Sequence, residues 1–126
     1  LTRYNYNRSS VPPAPFVHAA VQCGDGSGLT AEWPALVDTG ADRTIIPSEI
    51  VNALNLTAGG ESRIGGLGLT VEVLPSYLIL IAIRNQKPLR IEALSSPDES
   101  YILLGRDVLN HFRILLDGAR LVLEID

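Results

Sequence analysis

Ala35-Leu36-Val37-Asp38-Thr39-Gly40-Ala41-Asp42-Arg43-Thr44 is the stretch whose reading decides the fold. An apolar run ends abruptly in a carboxylate, a hydroxyl and a glycine. A buried strand that stops this way delivers one Asp to the top of a tight turn. Gly40 permits close backbone approach or a positive φ there. The Thr39 hydroxyl can bond across the turn or to a second copy of itself. The plain alternative is an Asx-type turn joining two strands, in which the Asp side chain serves only its own backbone.

Upstream of this stretch, Phe16 to Gln22 and Leu29 to Trp33 read as the arms of a hairpin around the turn cluster Gly24-Asp25-Gly26-Ser27-Gly28. Leu1 to Pro15 is rich in Asn, Arg, Ser, Tyr and Pro, and is expected to be a tail or linker before a domain covering 16–126. An arm packed on a partner subunit is the alternative for it. Downstream, Thr44-Ile45-Ile46 is a short strand stopped by Pro47. Ser48 is placed to cap a short helix from Glu49 to Leu54, with Ile50, Val51 and Leu54 on one face.

Glu61 to Val73 reads as a second hairpin with glycines at its tip. Tyr77 to Ile83 and Pro88 to Leu94 are strands, and Tyr101 to Leu104 is a short buried one. Val108, Leu109 and Phe112 share a helical spacing that predicts a helix from Arg106 to Phe112. Arg113 to Leu116 and Arg120 to Ile125 flank Asp117-Gly118, a strong hairpin signal.

The 126 residues suit one domain, and a composition 46% hydrophobic is ample for its core. Short runs of Val, Ile, Leu and Thr punctuated by Gly and Pro favour β structure. A net charge of −4 argues against nucleic acid or an anionic membrane surface as the main partner. Cys23 is the one cysteine, so no disulfide forms within the chain, and with His18 and His111 it makes no metal-ligand cluster. No cofactor is called for. No run approaches the roughly 20 apolar residues of a membrane span. The chain opens on Leu1 and not Met, so it is expected to be a piece or processed product of a longer one. An upstream signal or anchor, and with it the compartment, stays open.

Two further stretches complete the pattern. Ile64-Gly65-Gly66-Leu67-Gly68 is glycine-rich between apolar residues, and Ile102-Leu103-Leu104-Gly105-Arg106-Asp107-Val108-Leu109 runs from an apolar strand through Gly-Arg into the predicted helix. With Asp38-Thr39-Gly40-Ala41, these resemble, in order and spacing, the active-site loop, flap tip and late Gly-Arg segment of the retropepsins, the retroviral-type aspartic proteases. The resemblance spans roughly residues 16 to 112. It implies a mostly β fold, a closed β-barrel-like single lobe with one or two short helices.

It also implies an activity. Hydrolysis of a peptide bond without metal or covalent nucleophile needs one group to take a proton from water and another to donate one. Two carboxyls sharing a proton do this in the aspartic proteases as a class. No second Asp-Thr/Ser-Gly triplet exists in the chain, so a two-lobed monomer is excluded. The pair must come from two chains, a twofold homodimer with both copies of Asp38 at the axis. Asp38, Thr39 and Gly40 then form the catalytic loop, with Thr39 locking the two loops together and the Gly40 carbonyl meeting the substrate backbone.

By the same resemblance, Leu36, Ala41, Asp42, Arg43, Ile45, Ile64, Gly65, Gly66, Leu67, Tyr101 and Leu103 contact an extended peptide or protein substrate. Asp42 and Arg106 form an ion pair tying loop to helix. The alternative reading is a peptide-binding or structural module on this fold with little or no catalysis.

Three features depart from the retroviral pattern. Leu69 stands where another glycine is common, Arg43 stands where an acid is common, and the chain continues past the helix into the hairpin Arg113 to Asp126. Endings of that kind occur in cellular and bacterial retropepsin-like domains, which makes the dimer interface the least transferable part of the likeness.

Overall fold

Alternation of inward and outward residues organises the barrel, because successive side chains of a strand point to opposite faces. In β2 (Phe16–Cys23) Val17, Ala19 and Val21 are buried while His18 is exposed. The structure, a computed structural model, describes residues 1–65 and 71–126, with Arg63 and Ile64 described by backbone alone. The expected flap-tip residues Gly66, Leu67 and Gly68, with Leu69, lie outside the described residues, as does the Ile64 side chain.

β2 pairs antiparallel with β3 (Ala31–Val37), which pairs in parallel with β8 (Ile102–Leu104). β8 meets β4 (Ile45–Pro47), and β4 runs parallel to β7 (Leu89–Ser96). β7 pairs antiparallel with β6 (Val71–Ile83), and β6 returns to β2, closing six strands into a barrel. β5 (Gly60–Gly65) extends beyond the closure, paired with the first half of β6. Ile79, Ile81 and Ile83, Val17, Ala35, Ile46, Ala93, Ile102 and Leu104 fill the interior.

Two strands run through a proline at which the sequence suggested a break. Pro34 lies within β3, one residue before its pairing to β8 starts at Ala35. Pro75 lies within the 13-residue β6, one residue before its pairing to β7 starts at Ser76. At both points one edge of the strand is still open, so the missing N–H costs no bond on that side.

The helices are short. α1 (Ser48–Leu54) buries Ile50 and Val51 against the barrel and ends on Asn55 in the left-handed conformation, with φ 52°. Its N-cap is Pro47 and not Ser48. Ser48 already belongs to the first turn, beyond the position from which a side-chain cap reaches the free N–H groups. α2 is Arg106–Leu109 and stops short of the expected Phe112. After Leu109 the chain tightens into turns in which His111 and Phe112 donate three residues back, to Val108 and Leu109.

Residues 1–15 are not free chain. β1 (Thr2–Asn5) pairs antiparallel with β10 (Val122–Ile125), which pairs with β9 (Ile114–Asp117) in a three-stranded sheet beside the barrel. Tyr4 and Tyr6 turn toward the core while Arg3 and Asn5 face out. The polar and Pro-rich composition concealed this period-two pattern. No helix is long and apolar enough to cross a membrane among the described residues.

Candidate active site

Parallel pairing builds the site. β3 and β8 run side by side in the register Ala35↔Ile102, Leu36↔Leu103 and Val37↔Leu104, so both strands end at the same end of the barrel. Asp38 follows one and Gly105 the other. The Asp38 N–H donates to the Leu104 carbonyl at 3.1 Å, carrying the ladder one residue past the strand. The chain then turns, with Ala41 N–H donating to the Asp38 carbonyl at 3.2 Å and Gly40 N–H to Asp38 Oδ1 at 3.1 Å. Asp38 is half-buried at the mouth, and Thr39 and Gly40 are exposed.

The loop is bolted to α2. Arg106 N–H donates to the Ala41 carbonyl at 2.9 Å and Asp107 N–H to that of Asp42 at 3.3 Å. The Arg106 guanidinium reaches back across 67 positions of sequence to the Thr39 carbonyl at 2.7 Å and to Asp42 Oδ1 at 2.6 Å. The Asp42–Arg106 pair of the sequence reading is thus formed, but on the surface, with side chains 84% and 43% exposed.

Beneath it lies a second tie that the sequence reading missed. Asp107 accepts from the Thr44 backbone N–H at 3.0 Å and from the Thr44 hydroxyl at 2.7 Å. The same hydroxyl accepts from Gly105 N–H at 3.1 Å. Thr44 is fully buried, and these bonds satisfy it. Its signal in sequence was a polar residue leading an apolar strand. Gly105 is required by packing, since a Cβ there would stand 2.5–2.8 Å from backbone atoms of Arg43.

A groove of about 420 Å³ opens beside the turn, lined by Gly40, Ala41, Asp42, Arg43, Ile45, Ser62, Gly65 and Leu94. Ser62 and Leu94 had no place in the sequence reading; they arrive from β5 and β7. Leu36 and Leu103 are half-buried neighbours in the β3–β8 register and do not line this groove, nor does Tyr101. The Tyr101 ring packs edge-on against Phe16 at 4.9 Å. The described residues hold no group of His, Cys, Asp or Glu suited to a metal ion.

The family model for retroviral aspartyl protease matches residues 13–117, which include the turn, the groove and α2. The chain belongs to the retroviral aspartyl protease family. Among solved structures it is similar to a retropepsin-like aspartic protease from Rickettsia conorii, at 17% identity and TM-score 0.64, covering 97% of this chain and 86% of that one. The simian foamy virus protease is similar at 19% identity and TM-score 0.55, covering 76% and 92%. The EIAV protease, solved with the inhibitor HBY-793, follows at 21% identity and TM-score 0.54, covering 86% and 93%. At these identities the likeness carries the retropepsin fold. No curated protein sequence matches the chain.

Proposed function

We propose that the chain is an aspartic endopeptidase acting as a homodimer, in which two Asp38 carboxyls, one from each copy, activate a water against a peptide bond. The observation that carries this reading is the placement of Asp38. The sole Asp-Thr-Gly triplet of the chain sits on a turn held by β8 and α2, with Asp38 half-buried and Gly40 lining an open groove. A retroviral aspartyl protease domain with one such turn holds half of a two-carboxyl site.

The charged member of the pair takes a proton from the water as its oxygen attacks the carbonyl carbon. The protonated member donates to the carbonyl oxygen, and a proton then passes to the leaving nitrogen. Two carboxyls sharing one proton operate on the acid side of neutrality.

The test is cleavage of a peptide library between about pH 4 and 7, read by mass spectrometry, with wild type and Asp38→Asn compared. Cleavage by wild type that is lost in Asp38→Asn and falls on dilution supports the reading. Equal cleavage by a folded Asp38→Asn variant overturns it. Peptide binding without cleavage by wild type would indicate the non-catalytic module instead.

A further inference from the structure

The two arginines at the groove end of the barrel are held in different ways. Arg106 gives its charge to a carboxylate, Asp42, at 2.6 Å. Arg43 is held by neutral oxygens: Nη1 donates to the Ser62 hydroxyl at 2.6 Å and Nη2 to the Glu92 backbone carbonyl at 2.8 Å. The one carboxylate within ion-pair range of it among the described residues is that of Glu92, at 3.9 Å and 69% exposed. Two hydrogen bonds occupy two of the five guanidinium donors. They fix the planar fork against β5 and β7 without neutralising it. Asp42, the acid among the described lining residues, has its charge answered by Arg106. The groove wall therefore carries a positioned positive charge, five residues on from Asp38, whose nearest counter-charge among the described residues, Glu92, stands 3.9 Å away.

We infer that Arg43 selects peptides with an Asp or Glu side chain seated beside the catalytic turn. The proposal rests on the peptide-cleaving reading and names its substrate class. A guanidinium already immobilised by Ser62 and Glu92 loses little further freedom when a carboxylate docks, and charge-assisted pairing to such a fork is strong and directional. An amide of the same shape gains far less. Because two copies would complete the site, Arg43 occurs on both sides of the cut, and an acid is favoured on either flank of an apolar centre.

The experiment uses short labelled peptides with an apolar centre, carrying Glu or Gln at each flanking position in turn. Cleavage by wild type at about pH 6, where a peptide Glu of pKa about 4.3 is ionised, should favour Glu at one position on each flank by about tenfold in kcat/KM. The Glu/Gln ratio should collapse as the pH falls below that value and shrink with added salt. Both signatures are read on wild type and need no variant to fold. Arg43→Lys, which keeps the charge but lacks the fork held by Ser62 and Glu92, should keep the sign of the preference and lose most of its size, and Arg43→Glu should transfer it to a Lys-bearing peptide.

A Glu/Gln ratio near one at every position in wild type overturns the inference while leaving the peptidase reading intact. So does an unchanged ratio in a folded Arg43→Glu protein. Binding of the same peptides to Asp38→Asn, followed by fluorescence anisotropy, separates the two proposals. Tighter binding of Glu peptides with no cleavage by wild type upholds Arg43 and overturns catalysis. Neither binding nor cleavage overturns both.

Discussion

Thr44 and Asp107 are joined by two hydrogen bonds, backbone N–H to Oδ2 at 3.0 Å and hydroxyl to Oδ1 at 2.7 Å. This pair locks the strand that follows the Asp38 turn to the first turn of α2, around the buried Thr44. Removing one side strands the other. Asp107→Ala should destabilise the fold by about 2–4 kcal/mol, since two buried donors lose their acceptor. Asp107→Asn keeps one oxygen and should cost about half as much. Urea denaturation of the two variants measures the difference, and near-equal, small effects would show the tie to be incidental.

The Arg106 contacts are exposed, so their weight lies in loop geometry more than in stability. An exposed ion pair contributes at most about 1 kcal/mol, well below the cost of stranding a charge in a buried pair. The bond to the Thr39 carbonyl, however, holds the residue next to Asp38. Arg106→Ala should cost about 1–2 kcal/mol in unfolding and lower peptide cleavage by a much larger factor. Arg84→Ala is the proper control. Arg90 is not, because its Nε donates to the Gly24 carbonyl at 2.9 Å.

Gly105 and Gly118 offer a matched pair of substitutions. A Cβ at Gly105 would press on the backbone of Arg43, while one at Gly118 meets open space. Gly105→Ala should therefore cost about 1–3 kcal/mol or more, with loss of cleavage, and Gly118→Ala should leave both near wild type. Thermal melts with parallel turnover assays check this.

Glu99 gives a pH dependence with a definite sign. Burial raises its pKa above the ordinary value, and the carboxylates of Asp98 and Glu72 add to the effect. The folded protein thus binds the Glu99 proton more tightly than the unfolded chain. This contribution favours the fold below the group's ordinary pKa and is lost as pH rises through the raised one. Glu99→Gln should raise the melting temperature at pH 7 and leave it nearly unchanged at pH 4. An equal shift at both values would exclude the charge as the cause.

Much of this protein follows from local chemistry. Asp-Thr-Gly after an apolar run, Gly-Arg before a helical spacing and Asp-Gly between apolar arms each act within a few residues, where turn geometry and side-chain period decide the outcome. The strands of the barrel and the presence of two helices were legible for that reason. The single triplet likewise set the need for a second carboxyl source in the proposed mechanism.

Other features depend on who meets whom. β1 was hidden because its pairing partner, β10, lies at the other end of the chain. The tie between Thr44 and Asp107, the entry of Ser62 and Leu94 into the groove, and the neutral acceptors around Arg43 arise from parallel and crossing strand pairings between distant segments. The exposure of the Asp42–Arg106 pair is of the same kind. Sequence determined which groups this chain carries and how each turn is made. Tertiary structure alone decided which charges among the described residues are answered and at what distance, because compensation is set by distance in space and burial.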